Sequence, residues 1–242
     1  PIVLLNSKYI SSNKDQTSIS SPKGVTGKSI SGMDIAIVEK LDFAGIQLTD
    51  QKVVSTDLSG LEKDYDFEIY GIIGYEMFKD YDLCIDYSNQ LITLIKPDFF
   101  DSFKENNLSN NKIISTSLKM EDHIPVVAVE INNEKLNFGI DSGAEANLIS
   151  ETLYPNFEKK LKDLKTDSLS GAEGSSKNAK SGILNKMSLN NKTFKNLKTY
   201  FSDMTHLNKN NEIKIQGLIG YPVLSKQKTI ISFKRKEILF VE

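Results

Sequence analysis

Asp141, Ser142 and Gly143 are the residues of this chain whose types and spacing suggest chemistry. They follow an alternating apolar segment, so a carboxyl group stands at a strand end, where a scaffold can hold it against a partner. Glycine permits a close backbone approach, and the hydroxyl can hydrogen-bond neighbouring groups and fix the loop. A carboxyl held in this way is suited to acid–base chemistry. The bare tripeptide is also what a plain strand-end turn contains, so its surroundings must decide between the two readings.

The surrounding segments indicate strands that would position Asp141. Leu136 to Asp141 alternates between apolar residues and small or polar ones, and Ile124 to Ile131 is apolar on both faces. After the tripeptide come Ala144 and the apolar residues from Leu148 onward. Glu145 and Asn147 are polar where apolar residues are expected, and the charge of Glu145 either raises the proton affinity of Asp141 or points into solvent. Roughly 80 residues downstream, the segment 218–220 precedes a short helix and a closing hairpin at 229–241, and a counterpart hairpin is expected to turn at 88–90. Few helices are expected. The longest is predicted over Glu151 to Leu164, where leucines and Phe157 recur at helical spacing, and short helical turns are expected over 98–106 and after both Gly-Tyr pairs.

Two motifs together resemble those of retropepsin-like aspartic peptidases. Asp141-Ser142-Gly143-Ala144 is similar to the catalytic signature of that family, and Leu218-Ile219-Gly220 is similar to its second element. The resemblance implies that Asp141 is catalytic and that Ser142, Gly143, Ala144, Leu218, Ile219 and Gly220 shape or support its loop. It also implies a flap over the substrate, and the residues in that position are Gly171, Ala172, Glu173 and Gly174, with Gly24 to Gly27 as a counterpart nearer the N-terminus.

The resemblance implies a reaction that needs two carboxyl groups. Two carboxylates about 3 Å apart cannot both ionise, so they share a proton and titrate as a unit. One deprotonates a water molecule while the other donates a proton to the scissile carbonyl. The expected substrate is therefore an extended peptide or protein, and no cofactor or metal is required.

An internal repeat predicts two related lobes. Gly71 to Tyr75 reads Gly-Ile-Ile-Gly-Tyr, and 146 positions later Gly217 to Tyr221 reads Gly-Leu-Ile-Gly-Tyr. The apolar pattern around these motifs persists at the same offset over about 50 residues, as two copies of one fold would. We therefore expect an all-β fold of two acid-protease-like closed β-barrel lobes with few short helices. Residues 1–97 would form the first lobe without its N-terminal strand and aspartate motif, 98–111 a linker, and 112–242 the complete second lobe.

The repeat also predicts where a second aspartate lies. Applying the offset to Asp141 gives a position just upstream of Pro1, so we expect a second motif in an N-terminal segment preceding this sequence. Two alternatives stay open. The second lobe could form a homodimer in which two copies of Asp141 meet, or the protein could bind peptides by strand addition without hydrolysing them.

Composition excludes several other functions. The 30 Lys and Arg residues nearly balance 32 Asp and Glu, so no net field favours nucleic acid, and no apolar run is long enough to predict a membrane span. Cys84 has no second cysteine to pair with, and His123 and His206 lie far apart, which argues against a disulfide or a metal site. The many Asn, Lys and Ile residues suggest a bacterial source, and the resemblance favours an exported protein.

Overall fold

The structure, a computed structural model, describes residues 3–10, 14–15, 34–171, 176–209 and 211–242. The chain divides into two compact units, Pro1–Met77 with Leu169–Lys177, and Phe78–Ser168 with Asn178–Glu242. This division does not fall at residue 97, the predicted end of the first lobe, because the strands that follow Phe78 pair within the second unit. The separation into two sequence copies and a linker stays a prediction.

The first unit is a twisted sheet with two short helices. Its strands are β1 (Leu4–Asn6), β2 (Lys14–Asp15), β3 (Asp34–Phe43), β4 (Ile46–Thr56) and β5 (Gly71–Ile72), and its helices are α1 (Ser59–Tyr65) and α2 (Tyr75–Phe78), with a 3-10 turn at Ser7–Tyr9. The strand order is β2-β3-β4-β1-β5. β3 and β4 form a hairpin across Ala44 and Gly45, both at positive φ, where Gly45 at +82° suits the turn because glycine bears no Cβ.

The second unit contains the remaining elements, except that the two strands flanking residues 172–175 end and begin within the first unit. Its strands are β6 (Asp82–Asp86), β7 (Leu91–Ile95), β8 (Ile113–Ser117), β9 (Lys119–Glu121), β10 (Ile124–Ile131), β11 (Glu134–Ile140), β12 (Asn147–Ser150), β13 (Leu161–Ser170), β14 (Ser176–Leu189), β15 (Lys192–Ser202), β16 (Gly217–Ile219), β17 (Lys228–Ser232) and β18 (Glu237–Val241). Its helices are α3 (Phe100–Leu108), α4 (Tyr154–Phe157) and α5 (Tyr221–Leu224), with 3-10 turns at Pro97–Phe99, Glu151–Leu153, Glu158–Lys160 and Thr205–Asn208.

Six of these strands close into a barrel. The sheet runs β13-β14-β15-β12-β16-β11-β10-β9, and an additional β10–β14 pairing at Glu130 and Ser188 joins its two sides. The apolar alternation that the sequence predicted fills the interior: Leu136, Phe138 and Ile140 are all buried. Phe138 has no exposed surface, so replacing it would open a cavity in a closely packed core.

A second sheet of this unit combines two hairpins that are far apart in sequence. Its order is β7-β6-β17-β18-β8, and β6 pairs antiparallel with β17 from Asp82 opposite Ser232 to Ile85 opposite Thr229. Both hairpins were predicted from the sequence, but their pairing with each other was not. The turn between β6 and β7 is thereby fixed within the second unit.

The helix expected over Glu151 to Leu164 is shorter than predicted. Helical turns end at Lys160, and Leu161–Ser170 is β13. Phe157 reaches the core, whereas Leu164 is exposed. The apolar spacing therefore continued past the helix by coincidence, and pairing with β14 determines the backbone beyond Lys160. Within the residues the structure describes, every helix is too short or too polar to cross a lipid bilayer.

Candidate active site

Asp141 is the first residue after β11, and the strand beside it fixes its backbone. β11 runs parallel to β16, with Ile140 opposite Ile219. The Asp141 N–H then donates to the Ile219 carbonyl at 2.9 Å, which continues the pairing by one residue. Asp141 thus leaves the sheet at a defined point and is itself exposed.

The loop after Asp141 folds back on the carboxyl group. The Gly143 N–H donates to Asp141 Oδ1 at 2.9 Å, and the Ala144 N–H donates to the Asp141 carbonyl at 3.2 Å. A Cβ at Gly143 would lie 3.3 Å from Oδ1, so any other residue would crowd the carboxyl. Ser142 is exposed at the tip of this tight turn.

Gly220 lies against the underside of the loop. A Cβ at Gly220 would lie 2.5 Å from the Ala144 carbonyl oxygen and 2.7 Å from that of Ala146, so a side chain cannot fit there. The next residue, Tyr221, donates its N–H to the same Ala144 carbonyl at 2.8 Å. The two sequence motifs are therefore in direct backbone contact.

Leu218 and Ile219 connect the strands on both sides of the loop. β16 lies between β11 and β12, parallel to the first and antiparallel to the second, with Leu218 opposite both Gly139 and Leu148. Both residues are buried. The loop that carries Asp141 joins β11 to β12, so β16 holds the two ends of the loop at a constant separation.

Residues 127–223 match the aspartyl protease family. This segment includes the Asp141 loop, Gly220 and every strand of the barrel wall between them. Residues 127–223 are therefore an aspartyl protease segment by sequence similarity. The expected family is thus confirmed for this part of the chain.

Three solved structures resemble the chain. A retropepsin-like aspartic protease from Rickettsia conorii shares 19% identity, with 55% of this chain and 93% of that chain covered and a TM-score of 0.38. Basic 7S globulin from soybean shares 10% identity over 99% of this chain and 84% of that chain, with a TM-score of 0.46. Conglutin gamma, a basic 7S globulin from lupine seeds, shares 10% identity over 99% and 85%, with a TM-score of 0.50. A comparison with curated protein sequences finds no match.

The predicted all-β, acid-protease-like fold class is confirmed, whereas its division into two related lobes stays a prediction. The chain is mainly β with few short helices and has an acid-protease-like fold, and its likeness to the lupine globulin extends over nearly the whole chain. At 10% identity that likeness concerns the fold and not the chemistry.

The electrostatic setting of the aspartyl protease segment favours the neutral acid at Asp141. Desolvation by the surrounding protein raises the pKa of Asp141, and the hydrogen bond from the Gly143 N–H opposes this effect in part. The residue is nevertheless exposed, so a solvent molecule can reach it while dense protein on its other sides disfavours its charge. The sequence did not decide whether the charge of Glu145 acts on Asp141. In the structure Glu145 is exposed.

Asn147 is a site residue whose role the sequence did not reveal. It has no exposed surface, and its Oδ1 accepts the Gly220 N–H at 3.0 Å, while Nδ2 reaches the Lys198 carbonyl at 3.5 Å. In the sequence, Asn147 was noticeable only as a polar residue where an apolar one was expected. The structure explains it by the hydrogen bond to Gly220. Asn147 satisfies a buried N–H directly beneath the loop, which would otherwise be costly.

Gly217 is a second site residue whose role the sequence did not reveal, because there it appears only as part of the repeat. A Cβ at Gly217 would lie 2.5 Å from the Leu148 carbonyl oxygen and 2.5 Å from the Phe138 ring. The glycine therefore permits β16 to approach both of its neighbours closely.

The predicted flap lies largely outside the described residues. Gly171 is buried at the end of β13, whereas Ala172, Glu173 and Gly174 are not described, and the same holds for Gly24 to Gly27. β13 and β14 are neighbouring strands that lead to and from this position. The flap assignment stays a prediction. In the described part of the chain, no three His, Cys, Asp or Glu side chains cluster as a metal site would require.

Proposed function

We propose that this protein is an aspartic endopeptidase in which Asp141 is one of two catalytic carboxyl groups. The observation that supports this most directly is the geometry at Asp141, an exposed residue whose carboxyl accepts the Gly143 N–H and whose loop lies on Gly220. Desolvation also raises the pKa of that carboxyl. Structural aspartates on protein surfaces are ordinarily ionised at neutral pH, whereas an aspartic peptidase must keep one carboxyl protonated. The match of residues 127–223 to the aspartyl protease family points the same way.

The loop geometry assigns a task to each neighbour of Asp141. The hydrogen bond from the Gly143 N–H to Oδ1 fixes the plane of the carboxyl group. The close contact of Gly220 with the loop keeps the loop from moving toward the core. A partner carboxyl beside Asp141 would raise the proton affinity of the pair further, so that together they hold one proton. The ionised member then deprotonates water, and the protonated member donates to the scissile carbonyl of an extended peptide.

The second carboxyl is proposed to come from a segment preceding Pro1. The pairing of β1 supports this, because Leu4 lies opposite Val54 and Ile72 as Leu148 lies opposite Tyr200 and Leu218. β1 is therefore the counterpart of β12 at an offset of 144, two less than the offset of the sequence repeat. The counterpart of the Asp141 loop would then immediately precede β1.

Replacing Asp141 with Asn tests the proposal. A chain that includes the proposed segment before Pro1 should hydrolyse peptides from an unbiased library, and its Asp141→Asn variant should lose this turnover by at least about a thousandfold. Asp122→Asn, which changes an exposed carboxylate in the turn between β9 and β10, serves as the matched control and should retain full activity.

The other outcomes separate the alternatives. A wild-type protein that binds peptides and never cleaves them, with the same affinity in the Asp141→Asn variant, would identify a peptide-binding protein. Activity that depends on protein concentration, in a chain without an upstream aspartate, would identify a homodimer. Equal turnover of wild type and Asp141→Asn would exclude Asp141 from catalysis.

A further inference from the structure

The turn between β6 and β7 places a tyrosine beside the support of the Asp141 loop. Tyr87 is half-buried and packs against the core of the barrel. Its ring meets that of Tyr221 edge-on, with 5.3 Å between the ring centroids and 86° between the planes. Aromatic rings attract each other in this arrangement because the positive edge of one faces the negative face of the other.

The turn that carries Tyr87 is itself fixed. The preceding residue, Asp86, accepts hydrogen bonds from the Asn89 N–H at 3.1 Å and from Asn89 Nδ2 at 2.8 Å. Asp86 also forms an ion pair with Lys228 on β17, at 3.2 Å. The Asp86 side chain is almost fully buried, so these bonds hold the turn against the neighbouring hairpin.

Tyr221 transmits this contact to the loop. Its ring is half exposed, but its N–H donates to the Ala144 carbonyl at 2.8 Å, three residues after Asp141. Gly220, directly before it, is pressed against the Ala144 and Ala146 carbonyls. A displacement of the Tyr221 ring would therefore move the surface on which the Asp141 loop lies.

We propose that Tyr87 is a positioning residue for Asp141, acting through the ring of Tyr221 on the carbonyl of Ala144. This inference rests on the proposed function, since positioning is relevant only if Asp141 reacts. It adds to that function a residue from a part of the sequence that lies outside the segment matching the aspartyl protease family.

The raised pKa of Tyr87 indicates that its aromatic ring, and not a charged phenolate, acts on the Asp141 loop. Burial raises the pKa of Tyr87, and Tyr221 and the Asp141 carboxylate raise it further. Tyr87 therefore stays neutral while Asp141 titrates, and its ring adds no charge to the surroundings of the carboxyl. Other charged groups on the elements packed here include Glu145 in the loop itself, the Asp86–Lys228 pair on the two strands, and Asp82 at the far end of β6, which pairs with Arg235.

Two substitutions at Tyr87 separate the ring from the hydroxyl. In Tyr87→Leu we expect kcat to fall by about tenfold with little change in KM, because a displaced loop impairs the reaction more than binding. The pKa of Asp141, followed by NMR of its carboxyl carbon, should shift downward as water gains access. Tyr87→Phe retains the ring and should leave both quantities unchanged. Tyr221→Leu removes the same contact from the exposed side and should reproduce Tyr87→Leu.

Tyr154 provides the matched control. Its ring meets Phe201 edge-on at 5.1 Å and 81° in the same unit. Tyr154→Leu loses a contact of the same kind and should change neither the pKa of Asp141 nor kcat. The inference is wrong if Tyr87→Leu and Tyr221→Leu behave like Tyr154→Leu, or if Tyr87→Phe has the same effect as Tyr87→Leu. If the wild type cleaves nothing, the proposed function fails, whereas the NMR titration still decides whether Tyr87 acts on Asp141.

Discussion

The two units of the chain pair their strands in the same register although their sequences differ. In the β3–β4 hairpin Ile35 lies opposite Val54, and in the β14–β15 hairpin Ser181 lies opposite Tyr200, which is the same pairing displaced by 146 residues. The displacement is constant to the hairpin ends, where Phe43 opposite Ile46 becomes Leu189 opposite Lys192. Identical registers support the predicted repeat, because a slip of one residue would turn every side chain to the opposite face.

The units differ in where they bury an asparagine. Asn147, the first residue of β12, accepts the Gly220 N–H beneath the Asp141 loop, whereas the residue that precedes Leu4 in the first unit, as Asn147 precedes Leu148, is Val3. In β1 the buried asparagine is the last residue, Asn6, which donates to the Ile69 carbonyl at 2.9 Å and accepts the Leu58 N–H at 3.4 Å. β1 and β12 thus have equivalent neighbouring strands, but a buried asparagine supports the start of β12 and the end of β1.

The largest loss of stability is expected at Arg235, where the two hairpins of the second sheet differ. Both turns carry a bond from a backbone N–H to a strand side chain, Asn89 to Asp86 at 3.1 Å and Arg235 to Ser232 at 3.2 Å. Only Arg235 also reaches the fully buried Asp82, at 2.6 Å. Arg235→Met should lower the free energy of unfolding by about 3 kcal/mol, since it leaves a buried charge unpaired.

A second substitution tests that explanation for Arg235. Adding Asp82→Asn to Arg235→Met removes the unpaired charge and should restore part of the loss, as measured by urea denaturation. A double variant less stable than Arg235→Met would show that the ion pair is not the cause, and that the stacking of Arg235 on Phe100, at 4.1 Å from the ring centroid, dominates.

The glycines that begin β5 and β16 test whether these two strands are packed equally tightly against β1 and β12. A Cβ at Gly71 would lie 2.5 Å from the Leu4 carbonyl oxygen, and one at Gly217 would lie 2.5 Å from that of Leu148. We expect each Gly→Ala change to cost about 2 kcal/mol, as overpacking does. Hydrogen exchange should report the loss in the first unit for Gly71→Ala and in the second for Gly217→Ala. Equal protection in wild type and variants would refute the equivalence.

Asn147 and Asn6 separate stability from function. Replacing either with Leu leaves buried backbone groups unpaired and should cost about 1 to 2 kcal/mol. Only Asn147→Leu should also lower peptidase turnover, because it loosens Gly220 and with it the loop. An equal loss of turnover in Asn6→Leu, measured at a temperature where both variants are folded, would contradict the contrast between the units.

The sequence predicted those features that depend on local pattern. The alternation of Leu136, Phe138 and Ile140 fixed the strand before Asp141, and the repeated glycine motifs predicted short helices after both Gly-Tyr pairs. Features that depend on distant partners were not predictable. The pairing of β6 with β17 and the contact of Tyr87 with Tyr221 join segments more than 100 residues apart, and no local spacing encodes them.

The smallest expected effect is a contrast in pH dependence between the two units. Hydrogen bonds from the Ile69 N–H and then from Tyr9 and Lys8 lower the pKa of Glu62 in the first unit. In the second unit desolvation raises the pKa of Asp141. A lowered pKa adds stability above the unfolded value, about 4.5 for Glu62, and this is lost as the pH falls. A raised pKa instead means that the ionised Asp141 opposes folding at pH values above its folded pKa.

Two isosteric variants should therefore move in opposite directions. Glu62→Gln should be less stable than wild type at pH 7, and the difference should shrink as the pH falls below about 4.5. Asp141→Asn should be more stable than wild type at pH 7, with the difference vanishing near the unfolded value of about 3.8. Urea midpoints recorded from pH 3 to 8 would measure both. If Asp141→Asn lost stability at pH 7, the carboxylate would have to be stabilised in the fold, and the proton-holding role proposed for it would lose its physical basis.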